Sequence, residues 1–437
     1  MKSVLKSVLL SGIALATVQA ASATDTSELE ARLAALEALV SDLKSELAEE
    51  KAKRDADIVR LETSSQSVTT PESANPVDGM RIGDTIVKVG GFVDLDAHVT
   101  NLSDGSFGAS SIARDFYIPG ATPIGGEETT ATDFTAQATR FFISANRDIG
   151  ENKVAAHIEM DFLGSMQGDQ RVSNSYSPRL RRAFLDFNNW RIGQEWSTFQ
   201  NTSAIPESAS FLVLSDGMIF ERQAMIRYTA GNWQFALENG NATITPVGGG
   251  RIEADGNLIP DVIGRYNFSG DYGNVSVAAI ARQLRLESGA IDEETFGYGL
   301  SVSGKLNAGA RDDIRFALTA GEGIGRYIGL NAANGAAIDP VTGELEAIPS
   351  VGGLIAWRHP FAETARLNIG YSGLFIDNPD FAVASMTEST QSVFGALLWD
   401  LAPKVTVGTE LMFGQRETKG GDDGNITRFT FSTKYAF

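Results

Sequence analysis

Arg428-Phe-Thr-Phe-Ser-Thr-Lys-Tyr-Ala-Phe437, the last stretch of the chain, alternates residue by residue between two faces. Phe429, Phe431, Thr433, Tyr435 and Phe437 fall on one side; Arg428, Thr430, Ser432, Lys434 and Ala436 fall on the other. Successive side chains of a strand point to opposite faces, so this is an amphipathic strand with an aromatic side. Reading backwards, the same period of two recurs. Val405, Val407, Thr409, Leu411 and Phe413 alternate with Glu410 and Gly414, and Phe296, Tyr298, Leu300 and Val302 with Gly297, Gly299, Ser301 and Ser303. Trp233, Phe235 and Leu237 alternate with Gln234 and Glu238, and Ala156, Ile158, Met160 and Phe162 with His157, Glu159 and Asp161. The pattern begins near Ile86, where Val87, Val89, Val93 and Leu95 alternate with Lys88, Asp94 and Asp96.

A soluble sandwich can alternate in the same way, so the connections decide. About 16 strands fit between 86 and 437, at about 22 residues per strand and connection. They start near 86, 136, 152, 179, 190, 222, 232, 260, 273, 295, 311, 350, 363, 390, 404 and 426. Short turns such as Asp148–Glu151, Asn188-Asn189, Gly231-Asn232 and Ala402-Pro403 alternate with long connections near 100–135, 163–178, 195–221, 239–259, 284–294, 321–349, 374–389 and 417–425. An even strand number with short turns on one side and long loops on the other is what a bacterial outer-membrane barrel requires. Closure leaves no unpaired backbone edge in lipid. The fold class expected is an all-β transmembrane barrel of about 16 antiparallel strands, preceded by a short α-helical coiled coil. A final strand ending in Phe437 resembles the assembly signal read by the barrel-assembly machinery.

The N-terminal segment has a different grammar. Lys2 and Lys6, the apolar stretch Val8–Val18 and the small residues around Ala20 and Ala23 read as an export signal over residues 1–23. In residues 24–62, Leu29, Leu33, Leu36, Val40, Leu43 and Leu47 are spaced 4-3-4-3-4, the seam of a coiled coil that would serve oligomerisation in the periplasm. Two to three clean heptads are too short to hold alone, so an oligomer fastened elsewhere is the natural setting. Residues 63–85, with Pro71 and Pro76, read as a polar linker, and 86–437 as the barrel.

This organisation is similar to that of the DcaP-like trimeric outer-membrane porins. The local likeness lies in Arg179-Leu-Arg-Arg-Ala-Phe-Leu-Asp-Phe187, Trp190-Arg-Ile-Gly-Gln-Glu-Trp-Ser-Thr-Phe199, Pro206-Glu207 and Arg222-Gln-Ala-Met-Ile-Arg-Tyr228. The resemblance implies a homotrimer in the bacterial outer membrane, a periplasmic coiled coil, and passage of small anionic solutes, dicarboxylates among them.

Composition limits the chemistry. The net charge of −19 excludes the basic footprint that nucleic-acid binding needs. Without cysteine there is no disulfide or thiolate centre, and three histidines supply a metal site poorly, so no metal or cofactor is expected. Despite the surplus of acids, alternation sets Arg140, Arg191, Arg227, Arg265, Arg282, Arg315, Arg366 and Arg428 on the inner wall, and Arg182 is placed with them. Arg227, Arg265 and Arg315 fall near mid-height, Arg282 and Arg428 near the external rim. Rings of arginine favour anions in pores. Glu159, Asp161, Asp186, Glu195 and Glu410 face inward too, which leaves a structural network as the alternative.

The connection Ser197–Glu221 is too apolar for water: it holds Phe211-Leu-Val-Leu214 and Met218-Ile-Phe220. It is expected to fold into the barrel as a constriction, with Glu207, Asp216 and Glu221 facing wall arginines across the gap. Packing on a neighbouring subunit is the alternative. The function expected is a porin for small, preferentially anionic solutes. A general, weakly selective porin with an envelope-tethering coiled coil is the runner-up, and a barrel hydrolase is disfavoured because no serine is evident opposite His157. Gly299-Leu-Ser301-Val-Ser303 misses the nucleophile-elbow pattern.

Overall fold

In the computed structural model, residues 79–164, 173–288 and 291–437 are described; the coiled-coil seam and export signal lie outside them. Sixteen antiparallel strands close into a barrel. They are β1 (Thr85–Leu102), β2 (Thr129–Thr135 and Arg140–Ile149), β3 (Asn152–Asp161), β4 (Arg179–Phe187), β5 (Trp190–Trp196), β6 (Arg222–Ala230), β7 (Trp233–Glu238) and β8 (Asp261–Gly270). The circle continues with β9 (Gly273–Ser288), β10 (Ile291–Ala308), β11 (Asp312–Glu322), β12 (Pro349–His359), β13 (Ala365–Ile376), β14 (Thr387–Ala402), β15 (Val405–Thr418) and β16 (Asp423–Ala436).

Closure is made by β1 on β16, from Phe92 opposite Ala436 to Leu102 opposite Ile426. Below that ladder, Gly91 and Phe437 exchange both backbone hydrogen bonds, at 3.0 and 3.3 Å. Gly91 adopts φ of +155°, and a Cβ there would meet the Arg140 carbonyl oxygen at 2.1 Å, so the seam admits only glycine. Strand β2 is broken at residues 136–139, and each half pairs with its own half of β1. The Thr139 hydroxyl bridges the break by bonding to Asp94 N and O.

Three connections are shorter than expected, the first of them 100–135, where Thr129–Thr135 pairs with β1 as part of β2. Instead of a loop over 284–294, β9 and β10 run on as one long hairpin, with Arg285 opposite Glu294 and Glu287 opposite Asp292. Arg285 and Asp292 form an ion pair at 2.6 Å. Likewise β15 and β16 stay paired to Glu417 opposite Asp423, within the expected loop 417–425. Above the lipid the ladder persists while the apolar half of the pattern disappears, so a reading based on hydrophobicity ends these strands too early.

The interior is not an open tube. The outward rows carry the exposed apolar residues, Leu237 and Leu300 among them, at 48% and 62% exposure. The buried apolar cluster lies inside, where Leu212, Val213, Leu214 and Met218 of a connection pack on Leu354, Ala356, Phe394, Ala396 and Met412. Four short strands, Ala242–Thr245, Ile252–Ala254, Ala336–Ile338 and Leu345–Ala347, form a separate sheet built from two of the long connections.

Lipid facing sets a testable cost. Leu237→Lys or Leu300→Lys should destabilise the barrel by an amount set by depth, from about 4 kcal/mol at the bilayer midplane to about 1 near the headgroups. The heat-modifiable, folded fraction in refolding into vesicles should fall accordingly; an unchanged fraction would place these residues elsewhere.

Candidate functional site

The inner wall of β2–β5 concentrates the charge. Arg179 bonds Asp161 through two nitrogens at 2.9 and 3.0 Å. Arg181 bonds Glu159 at 2.8 Å and Asp161 at 2.5 Å. Arg182 holds Glu195 in a fork at 2.6 and 2.7 Å, and Arg191 holds Asp186 in another at 2.7 and 2.8 Å. Arg140 reaches Glu159 only at 3.7 Å. A bulge in β4 explains how neighbours in sequence both serve this wall: Glu159 pairs with Arg182 and Met160 with Leu180, which leaves Arg181 as the extra residue. Strict alternation therefore misses one of the two, and Arg179 and Arg181 were not expected here.

Aromatic rings lie among these cations. The guanidinium of Arg140 sits over Phe92 and Phe211, that of Arg181 over Phe211 and Trp196, and those of Arg182 and Arg191 over Phe184. Arg222 stacks on the same Trp196 at 4.5 Å and has no acidic partner among the described residues. Six arginines (140, 179, 181, 182, 191 and 222) thus gather around four carboxylates (159, 161, 186 and 195), a formal surplus of two positive charges. Arg140, Arg179, Arg182 and Arg191 keep part of their surface accessible, whereas Arg181 is buried.

Residues 197–221 fold into the barrel, and the wall supplies partners for their backbone. Thr198 N donates to Glu238 at 2.6 Å. Arg227 donates to Trp196 O and to the Thr198 hydroxyl, Arg265 to Gln200 O at 2.5 Å, and Arg315 to Ile205 O. Glu410 accepts from Ala209 N at 3.0 Å and from the Ser210 hydroxyl at 2.6 Å. Gly217 N donates to the Ser372 hydroxyl at 2.8 Å. There the loop meets the wall backbone to backbone, since a Cβ on Gly217 would fall 2.2 Å from Gly353 N and O. The three arginines expected to line mid-height are thus inward, but each gives a guanidinium donor to a loop carbonyl, while Arg265 and Arg315 also bond Asn267 and Asp313 of the wall.

The loop acids depart from the expected arrangement of charges across a gap. Glu207 is clasped directly by Arg366, at 2.7 and 2.9 Å, and by Arg358 at 3.0 Å. Burial raises its pKa, but the hydrogen bonds and charge of Arg366 and Arg358 outweigh this and hold it below the ordinary carboxylate value. Asp216 is fully buried and accepts from Tyr117 at 2.8 Å and from Ser392. Burial pushes it up to about 6 despite those hydrogen bonds, and its partners are hydroxyls rather than wall arginines. Glu221 pairs with Arg326 of another connection at 3.8 Å, not with the wall. An apolar loop can enter the barrel only with its acids paired or hydrogen-bonded, and that requirement overrides the facing-charge arrangement. Arg428 and Arg282 follow the same rule as the mid-height arginines: they donate to Ala113 O at 2.6 Å and to Asn241 O at 2.7 Å, in two other connections.

The cross-strand register also supplies a serine not evident in the sequence. Ser144 lies opposite His157, with its hydroxyl 2.8 Å from Nδ1. The imidazole is sandwiched between Phe142 and Phe184, and Glu159 stands 3.9 Å from Nε2. Because Glu159 is held by Arg181 and Arg182, it is poorly placed to orient the ring for proton transfer.

The sequence profile of the family described as DcaP outer membrane protein matches residues 14–437. The outer membrane channel DcaP of Acinetobacter baumannii is similar in fold, with a TM-score of 0.69 at 22% identity over 83% of this chain and 100% of that one. The anion-selective porin of Comamonas acidovorans gives 0.50 at 12% identity, over 81% of this chain and 100% of that one. OmpT of Vibrio cholerae gives 0.50 at 11%, over 83% and 100%. No curated protein sequence matches the chain.

The loop anchors make a prediction of their own. A hydrogen bond from a charged donor is worth about 1.5–3 kcal/mol, so the combined variant R227Q/R265Q/R315Q should loosen residues 197–221 without disturbing the lipid-facing wall. Single-channel recordings should show a larger and noisier conductance than wild type. Identical traces would mean that these bonds do not hold the loop.

Proposed function

The chain belongs to the DcaP outer membrane protein family, and from that premise we propose that it is a trimeric diffusion pore for small hydrophilic solutes, preferentially anionic ones of the dicarboxylate kind. The observation that carries the reading is the surplus of arginine on the β2–β5 wall, set against the aromatic edge of the inserted loop. Loop 197–221 fills the side of the lumen along β12–β15 and touches the opposite wall through Phe211, so the route for solute runs past that contact along the accessible guanidinium groups of Arg140, Arg182 and Arg191. The constriction lies there, rather than at Arg227, Arg265 and Arg315. Guanidinium groups stay charged throughout the physiological range and bind carboxylates through two parallel hydrogen bonds. Their partial pairing with wall acids leaves them available for exchange: a passing carboxylate replaces one partner with another instead of meeting a bare, tightly binding charge.

Each subunit supplies a complete pore. Outer-membrane lipid surrounds the barrel, the N-terminal coiled coil stands in the periplasm, and the barrel-assembly machinery inserts the chain through its last strand. The second reading, a general and weakly selective porin, draws on those same wall acids: four carboxylates cancel most of the six positive charges.

Reversal potential in a salt gradient across a planar bilayer separates the two readings. The proposed filter gives an anion-selective sign, which moves towards cations in R140Q/R182Q/R191Q and keeps its sign in R227Q/R265Q/R315Q. A wild-type potential near zero favours the weakly selective pore, and a cation-selective one overturns both the solute class and the filter.

A further inference from the structure

On the outside of the barrel, β10–β15 enclose a groove of about 760 Å³. Its floor is one register row: Leu300 lies opposite Ala320, Ala320 opposite Val351, and Val351 opposite Phe375. Ala320 is the small member of that row, and it leaves a trough between the larger Leu300 and Phe375. Leu300, Val351 and Phe375 are all exposed on the lipid-facing side.

The rim is of another character. One step along the strands, towards the long connections, stands Glu322, opposite Tyr298 and Pro349. Asp377 follows the end of β13, and Glu417 lies opposite Ser389, itself the neighbour of Phe375. A register shift between Thr387 and Ser389 sets Glu388 out of the ladder beside them. These four carboxylates line the groove, no lysine or arginine does, and none of the four forms an ion pair among the described residues. Asp377, Glu388 and Glu417 are exposed.

An apolar trough on a lipid-facing wall is reached from the membrane, and the acids mark its external end, at the level of headgroups. A purely anionic headgroup would be repelled there. We propose that the groove is a binding site for an outer-leaflet lipid with an amine-bearing headgroup. One aliphatic chain lies along Leu300, Ala320, Val351 and Phe375, and the ammonium group is received by Glu322, Asp377, Glu388 and Glu417. The occupant is a lipid and not a free solute, because the floor is continuous with the hydrocarbon-facing surface.

The test uses the full chain in nanodiscs of phosphatidylglycerol doped with either phosphatidylethanolamine or its N-acetyl derivative, which keeps the chains and the phosphate but lacks the ammonium. Retained lipid is counted by native mass spectrometry. Several exposed ion pairs together should give about a tenfold preference for the amine-bearing lipid. That preference should vanish in E322Q/D377N/E388Q/E417Q while single-channel conductance, which reports an intact barrel, stays at the wild-type value. Equal retention of both lipids by the wild type overturns the proposal, as does an undiminished preference in the quadruple variant. Retention of both lipids that is lost on adding a chelator also overturns it, by assigning the groove to a phosphate bridged by divalent cations.

Discussion

Irregular backbone inside a membrane barrel needs hydrogen-bond partners, and in this protein the barrel's own inward side chains supply them. A strand satisfies its backbone groups with its neighbours; a loop that descends into the lumen cannot. Arginine offers five donors and no acceptor, glutamate the reverse. The wall uses both: Arg227, Arg265 and Arg315 donate to carbonyls from Trp196 to Ile205, while Glu238 and Glu410 accept N–H groups of Thr198 and Ala209. Arg428 and Arg282 do the same for other connections. Because an unpartnered buried polar group costs several kcal/mol, these contacts are conditions for the loop's position and not ornaments of it.

The arrangement divides the lumen between two kinds of surface. Along β12–β15 an apolar patch of Leu354, Ala356, Phe394, Ala396 and Met412 is covered by loop side chains from Leu212 to Met218, while Arg358, Arg366 and Glu410 beside it hold the loop. Along β2–β5 the inward residues are mostly charged or aromatic, and the loop meets them through Phe211, over Arg140 and Arg181, and Phe220, against Trp196. A barrel of 16 strands left unfilled would be wide and poorly selective; filling one side brings solute against the other. Arginines therefore do two separate jobs, distinguished by what each guanidinium touches. Those that donate to loop carbonyls shape the lumen, even where, as in Arg282 and Arg315, they also pair with a wall acid, and those that bond only wall carboxylates set its charge.

Much of the fold was legible because the lipid imposes one rule on every strand. The starts expected at 152, 179, 190, 222 and 273 are where β3, β4, β5, β6 and β9 begin. The rule weakens where lipid ends: the β9–β10 hairpin past Arg285 and the paired ends of β15 and β16 carry polar residues on both faces, so nothing in the sequence separates them from loops. The loop's inward course could be read from its apolar run, since Phe211–Leu214 and Met218–Phe220 have no place in water. Its partners could not. Glu207 meeting Arg358 and Arg366 spans more than 150 residues of chain, and Arg181 beside Arg182 depends on a bulge that no periodicity reveals. Alternation tells which arginines point inward; it carries no information about what waits for them there.

The central claim is that residues 197–221 sit inside the barrel, seated on β15. A Cβ at Gly408 would lie 2.8 Å from that of Ala209, close enough for a disulfide after a small adjustment. The chain has no cysteine of its own, so the pair A209C/G408C introduces the only two thiols. In protein assembled in membranes and mildly oxidised, the cross-link should form almost completely, read as a mobility shift reversed by a reductant. If both thiols instead stay free and react with a maleimide added from outside, the loop does not occupy the lumen and the account fails.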